Sequence, residues 1–513
     1  MMNMEEKIFL NLENIKKTFG GVHALKNVNL VVRKGEIHCL AGENGCGKST
    51  LIKVISGVHN ATSGEICIEG EYVEKLTPIE AIRKGIQVIY QDFAVFPNLT
   101  VAENIAMNHA LLTDAKTMNW KKTKAIALDA MEQIGAHIDP DVLVERLSVA
   151  NKQMVAICRA IINDAKLLIL DEPTTALTKR EVSKLNQIIR NLKDKGMAIV
   201  IVNHKLDEIY EIADRLTILR NGENVATGEI SEFSRERFVR CMTGREVEEI
   251  YYRPAESREE ILKVEHLTRK GAFEDVSFTL NKGEVLGITG LLGSGRGELG
   301  DALFGLAPAT SGSISLNGKE VKIKSIQEAM KSKIAYVPED RLTQGLFLDC
   351  SIQENTVAAS IAKYVQKGRL NYRKMYEVTE KWIQKIGCNA ISPKPLIRTL
   401  SGGNAQKMVI AKWLNTDPKL IVLNGPTVGV DIGSKADIHK ILRGLAGRGV
   451  GVIVISDDIS ELMHNCSKIL IMRNGKAGGT INSKELDEAR LARMLTGESV
   501  SDTDGVDVQE VTV

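Results

Sequence analysis

The residues best suited to chemistry lie together in one short stretch, Gly42, Glu43, Asn44, Gly45, Cys46, Gly47, Lys48, Ser49 and Thr50, spaced G-x-x-x-x-G-K-S. Glycines let successive backbone amides curl around phosphate oxygens, and a helix opening at the end of the turn favours negative charge. Lys48 has the reach to meet β- and γ-phosphates, and the Ser49 hydroxyl is a hard oxygen suited to Mg²⁺. A second candidate follows at Asp171 and Glu172, adjacent carboxylates after the apolar run Leu167, Leu168, Ile169, Leu170. One could hold Mg²⁺ and the other could take a proton from an attacking water.

These residues need elements to hold them, and the chain contains those elements twice. NLVVRKGEIHCLAGENGCGKSTLIKVISG near residue 30 is answered by TLNKGEVLGITGLLGSGRGELGDALFG near 279. LSVANKQMV at 147 is answered by LSGGNAQKM at 400, and LLILDEPTTALT at 167 by LIVLNGPTVGVD at 420, both 253 residues on. KGMAIVIVNHKLDEI and RGVGVIVISDDISEL keep the same register. Val- and Ile-rich strands alternating with helical segments predict parallel βαβ units in each copy. The expected organisation is a first lobe over 5–242, a charged linker over 243–260, a second lobe over 261–500 and a polar tail over 501–513.

Composition narrows the class. With 43% hydrophobic and 26% charged residues the chain reads as a soluble globular protein, and a net charge of +2 argues against a nucleic-acid partner. No apolar run approaches the ~20 residues that cross a bilayer, and no secretory signal opens the sequence. The eight cysteines form no C-x-x-C pair, which predicts reduced thiols and no zinc or iron–sulfur framework.

Taken in order, the phosphate loop, Gln91 in VIYQDF, a signature segment at 147, the LDEP strand and His204 resemble the ATP-binding-cassette superfamily. The resemblance implies an α/β fold of two tandem P-loop NTPase domains. Each would have a RecA-like core, an antiparallel β subdomain and a helical subdomain. It implies ATP and Mg²⁺, with metal ligands Ser49, Gln91 and Asp171, and with Glu172, His204, Gln91 and Lys48 as the catalytic set. Phe19 matches the aromatic that stacks on adenine. It also implies that lobes pair head to tail, each ATP lying between one phosphate loop and the other lobe's signature, here Ser401, Gly402 and Gly403.

The second copy has lost this chemistry. Lys48 becomes Arg296, Ser49 becomes Gly297, Asp171 and Glu172 become Asn424 and Gly425, Gln91 becomes Glu339 and His204 becomes Asp457. The signature damage runs the other way: the first lobe has Leu147, Ser148, Val149 and Ala150 where the second keeps Leu400, Ser401, Gly402 and Gly403. One complete composite site and one degenerate one follow. The fused pair, LSGGNAQK, and Pro338 to Arg341 (P-E-D-R) are similar to the ATP-binding subunits of bacterial monosaccharide importers. That resemblance implies membrane permease subunits, a periplasmic substrate-binding protein and a place on the cytoplasmic face of the membrane. The apolar loop residues Phe93, Val95 and Phe96 are candidates for contact with the permease. A nucleoside or signalling-sugar cargo, or a soluble tandem cassette, is the alternative.

Overall fold

A computed structural model describes residues 8–91, 94–112, 119–162, 164–174, 177–203, 205–246, 252, 257 and 259–496. The chain divides into two compact units, residues 1–247 and 248–513. The expected tail lies outside the described residues, as does most of the expected linker.

The first unit begins with β1 (Ile8–Phe19), β2 (Val22–Arg33), β3 (Ile37–Gly42), α1 (Lys48–Ile55), β4 (Ser63–Ile68), β5 (Glu71–Tyr72), α2 (Pro78–Arg83) and β6 (Ile86–Ile89). A helical portion follows, α3 (Val101–Leu112), α4 (Trp120–Gln133) and α5 (Val149–Ile161). The core resumes with β7 (Leu167–Asp171), α6 (Lys179–Asp194), β8 (Ala198–Val202), α7 (Leu206–Ile212), β9 (Arg215–Arg220), β10 (Glu223–Glu229) and α8 (Arg235–Thr243). Strands β2, β1, β4 and β5 form an antiparallel sheet. The central sheet runs β10-β9-β3-β8-β7-β6, parallel except at its β10 edge.

The second unit repeats the plan. It opens with β11 (Glu260–Arg269), β12 (Phe273–Asn281), β13 (Val285–Gly290), α9 (Arg296–Phe304), β14 (Ser311–Leu316), β15 (Lys319–Glu320), α10 (Ile326–Lys331) and β16 (Ile334–Val337). Next come α11 (Ile352–Val357), the short pair β17 (Val365–Gln366) and β18 (Arg369–Leu370), α12 (Tyr372–Lys385) and α13 (Gly402–Leu414). It closes with β19 (Leu420–Asn424), α14 (Ile432–Ala446), β20 (Gly451–Ile455), α15 (Ile459–Asn465), β21 (Lys468–Arg473), β22 (Lys476–Asn482) and α16 (Glu488–Thr496). Its central sheet has the order β16-β19-β20-β13-β21-β22.

The central strands explain the rigidity of both sheets. All six residues of β3, all five of β8 and the first four of β7 are buried, because helices cover both faces of a parallel sheet. Each fully buried Val, Leu or Ile contributes roughly 1.5–3 kcal/mol. What such strands leave at their carboxyl ends is therefore held in a fixed place. Among the described residues, no helix is long and apolar enough to cross a membrane.

Candidate functional site

The order β3-β8-β7-β6 sets four adjacent parallel carboxyl ends side by side. The loop after Gly42 leaves β3, Asn203 follows β8, Asp171 ends β7, and Gln91 stands two residues past β6. The sequence candidates thus converge by strand order alone, where open α/β sheets bind ligands. His204 and Phe93 lie outside the described residues.

The loop itself is built by three glycines with positive φ: Gly42 at 157°, Gly45 at 81° and Gly47 at 110°. A Cβ on Gly42 would fall on Cys46 Sγ and the Leu219 carbonyl, and one on Gly47 would come within 2.8 Å of the Ala24 carbonyl. Gly45 faces open space. The Cys46 thiol tucks beneath the loop, and burial pushes its pKa up, so Cys46 offers the outside only its backbone. Helix α1 starts at Lys48 with no side-chain cap from Gly47, leaving the helix N-terminus directed out of the loop. Lys48 is buried, its Nζ donating to the carbonyls of Gly42 at 2.6 Å and Glu43 at 3.0 Å. Ser49, Asn44 and Gln91 are exposed. Phe19 ends β1 with 42% of its surface open, its ring edge-on to His59 at 5.2 Å and beneath Lys17 at 5.0 Å.

The two carboxylates differ in setting. Burial lifts the Asp171 pKa, the neighbouring Glu172 charge lifts it further, and Lys48 and Lys53 oppose. A half-buried carboxylate in that position favours a bound cation. Glu172 takes the left-handed conformation, φ 47°, with its amide donating to the Val202 carbonyl at 3.0 Å. For a residue with a Cβ that conformation costs roughly 1–2 kcal/mol, and strain of this kind clusters at functional sites.

Two features went unread in the sequence. Glu208 accepts hydrogen bonds at one oxygen from Thr174 Oγ1 (2.5 Å) and Asn203 Nδ2 (2.7 Å), tying the segment after Glu172 to the residue before His204. Glu461 makes the equivalent link in the second unit, accepting from Thr427 at one oxygen and Ser456 at the other and pairing with His439 at 2.8 Å. The duplication was the available signal, since 208 and 461 share the 253-residue register. The other feature is a buried asparagine that brackets an exposed phenylalanine. Asn104 binds both the amide and the carbonyl of Phe96, and Asn355 does the same to Phe347. Phe96 is 45% exposed and Phe347 60%, while Val95 packs against the core.

The second unit keeps the frame and fills it differently. Arg296 occupies the place of Lys48, Nη1 donating to the Gly290 carbonyl at 2.7 Å, and Nη2 stands 3.5 Å from Asp457. Asp457 therefore has a compensating charge beside it. Asn424 lies 3.5 Å from the Tyr336 hydroxyl, which donates to Asp301 at 2.8 Å. Phe273 is buried and offers no platform.

The two signature turns also differ. Ser148 and Ser401 cap α5 and α13 alike, each hydroxyl accepting from the amide three residues on. In the second unit a Cβ on Gly403 would lie 2.5 Å from Ser434 Cβ and 2.9 Å from Asp431 Oδ2. The bare glycine is thus required by packing within its own unit. In the first unit Val149 and Ala150 stand there, with Glu181 in place of Ser434.

The model of the ABC transporter family matches residues 25–175 and again 273–428, more than half of the chain. The chain belongs to the ABC transporter family. It is a fused, two-domain ABC ATPase, similar throughout to curated relatives. A ribose import ATP-binding protein of Caldanaerobacter subterraneus is 39% identical over 95% of this chain and 99% of its own. One of Rhizobium etli is 39% identical over 95% and 96%. A putative ribose/galactose/methyl galactoside import ATP-binding protein of Halalkalibacterium halodurans is 38% identical over 97% and 95%. A solved ATP-binding cassette of an ABC transporter, in its ADP conformation, is 29% identical over 44% of this chain and 92% of that one, with a TM-score of 0.41.

Proposed function

We propose that this ABC ATPase energises the import of a simple sugar, using one functional composite ATP site and one degenerate site. The observation that carries the reading is the first unit's open helix N-terminus. It is framed by three positive-φ glycines and Lys48, and the Asp171–Glu172 pair lies two strands away in the sheet.

In this reading the amides of Gly45 to Thr50 and Lys48 hold the phosphates, and exposed Phe19 stacks on adenine. Ser49, Gln91 and Asp171 supply a hydroxyl, an amide and a carboxylate, a hard-oxygen set that suits Mg²⁺ beside phosphate oxygens. Mg²⁺, when bound, neutralises charge on the transferring phosphoryl group. Glu172 accepts a proton from the water that attacks the γ-phosphorus, and the bond to ADP breaks. His204 holds the γ-phosphate, and Glu208 keeps the loops of both residues in place. Ser401, Gly402 and Gly403 of the second unit present the opposing helix N-terminus. The lobes would close head to tail on ATP and part after hydrolysis, a two-state motion that a permease can follow. Phe96 and Phe347, each fixed by its asparagine, are the apolar contacts offered to that permease. A substrate-binding protein outside the membrane would deliver the sugar.

Cells carrying Glu172→Gln, assayed for uptake of labelled pentoses, hexoses, polyols and nucleosides, test the assignment. Selective loss of a sugar supports it. Unchanged uptake of every sugar, with hydrolysis by the purified wild-type protein intact, removes it.

A further inference from the structure

Arg341 stands between three segments of the second unit. It opens a π-helical turn over Arg341–Gly345, capped by the Asp340 carboxylate, which accepts from the amides of Leu342 and Thr343. Its guanidinium reaches across to the loop after β19, Nη1 donating to the Val428 carbonyl at 2.6 Å and Nη2 to the Gly429 carbonyl at 3.2 Å. Nε is buried without a hydrogen-bond partner among the described residues. The same group lies against the signature turn: a Cβ on Gly402 would come within 2.9 Å of Nη2. At the far end of the π turn, buried Lys412, from the last turn of α13, donates to the Gly345 carbonyl at 2.6 Å. The turn is therefore fastened at one end to the loop after β19, beside Gly402, and at the other to the signature helix.

We propose that Arg341 is a positioning residue for the signature turn. Its planar fork clamps Val428 and Gly429 beside Gly402 and so fixes where Ser401 and the first amides of α13 point. A guanidinium suits this because it donates from two nitrogens in one plane, which an ammonium cannot do. The first unit supports the pairing. Arg159 reaches the Ala94 carbonyl at 2.8 Å much as Lys412 reaches Gly345. Counted 248 residues back in the sequence, however, the position of Arg341 is taken by Phe93, and a phenylalanine cannot donate. Clamp and signature glycines occur together in one unit, and both are missing from the sequence of the other.

The inference rests on the proposed role of Ser401 at the functional ATP site, so Ser401→Arg is the control. In the full-length protein, Arg341→Ala and Arg341→Lys should each lower kcat for ATP hydrolysis on the order of ten- to a hundredfold, the scale of a misplaced group. KM for ATP and the thermal midpoint should hold. In a double-mutant cycle Gly402→Ala should cost less beside Arg341→Ala than alone, because its methyl gains the guanidinium's space. Should Arg341→Ala not fold, Arg341→Lys carries the test. Wild-type kcat in Arg341→Lys, or strict additivity with Gly402→Ala, would overturn the clamp. Full hydrolysis by Ser401→Arg would instead overturn the reading on which it rests.

Discussion

At the carboxyl ends of β7 and β19 the same backbone carries opposite chemistry. Glu172 and Gly425 both sit in the left-handed region, φ 47° and 58°, and both donate their amide to the end of the neighbouring strand, Val202 and Ile455. The first unit holds a glutamate in a conformation that glycine adopts freely; the second has the glycine. On the proposed function, the strained carboxylate stands where it acts on water, and the glycine of the other unit carries no such strain. A Cβ at Gly425 would meet the side chains of Val428 at 3.0 Å and Glu339 at 3.1 Å, both exposed, which would have to shift to admit it.

This contrast yields tests of decreasing size. Glu172→Gln should reduce steady-state hydrolysis by on the order of a hundredfold or more, the scale of general-base catalysis. The pair Asn424→Asp with Gly425→Glu should add no turnover, and a rise above wild type would break the contrast. Gly403→Ala should cost about 1–3 kcal/mol by overpacking against Ser434, together with most of the hydrolysis. Removing the hydroxymethyl with Ser434→Gly should restore part of both losses, read by thermal melting and turnover. Glu172→Gly should abolish hydrolysis while raising stability by about 1 kcal/mol, a few degrees in the melting midpoint; a lower midpoint would remove the strain argument.

The smallest effect is one of pH. Burial lowers the Lys412 pKa from 10.5 to about 8. Between these values the unfolded chain binds more protons than the folded one, so this group adds stability as pH rises through that window. The slope of the melting midpoint from pH 8 to 10 should be less positive in Lys412→Met than in the wild type.

Much of the site was legible beforehand because its determinants are local. Glycine spacing before Lys48 and four apolar residues before Asp171 describe a loop and a buried strand without tertiary information. The internal repeat made the changes at Arg296 and Gly297, 248 residues after Lys48 and Ser49, and at Gly425, 253 residues after Glu172, visible. What stayed hidden depends on contacts between distant segments. Nothing near Glu208 says that it joins Thr174 to Asn203. The bare Gly403 reads in sequence as room for a phosphate; in the fold its space belongs to Ser434 of the same unit.

The central claim is that one phosphate loop hydrolyses ATP and the other does not. Steady-state hydrolysis by the full-length protein carrying Lys48→Ala, measured beside that carrying Arg296→Ala, tests it most directly. The account predicts background turnover in the first and turnover within about twofold of wild type in the second, a difference well above the ~1.4 kcal/mol that separates rates tenfold. Comparable losses in both, or substantial turnover in Lys48→Ala, would contradict it.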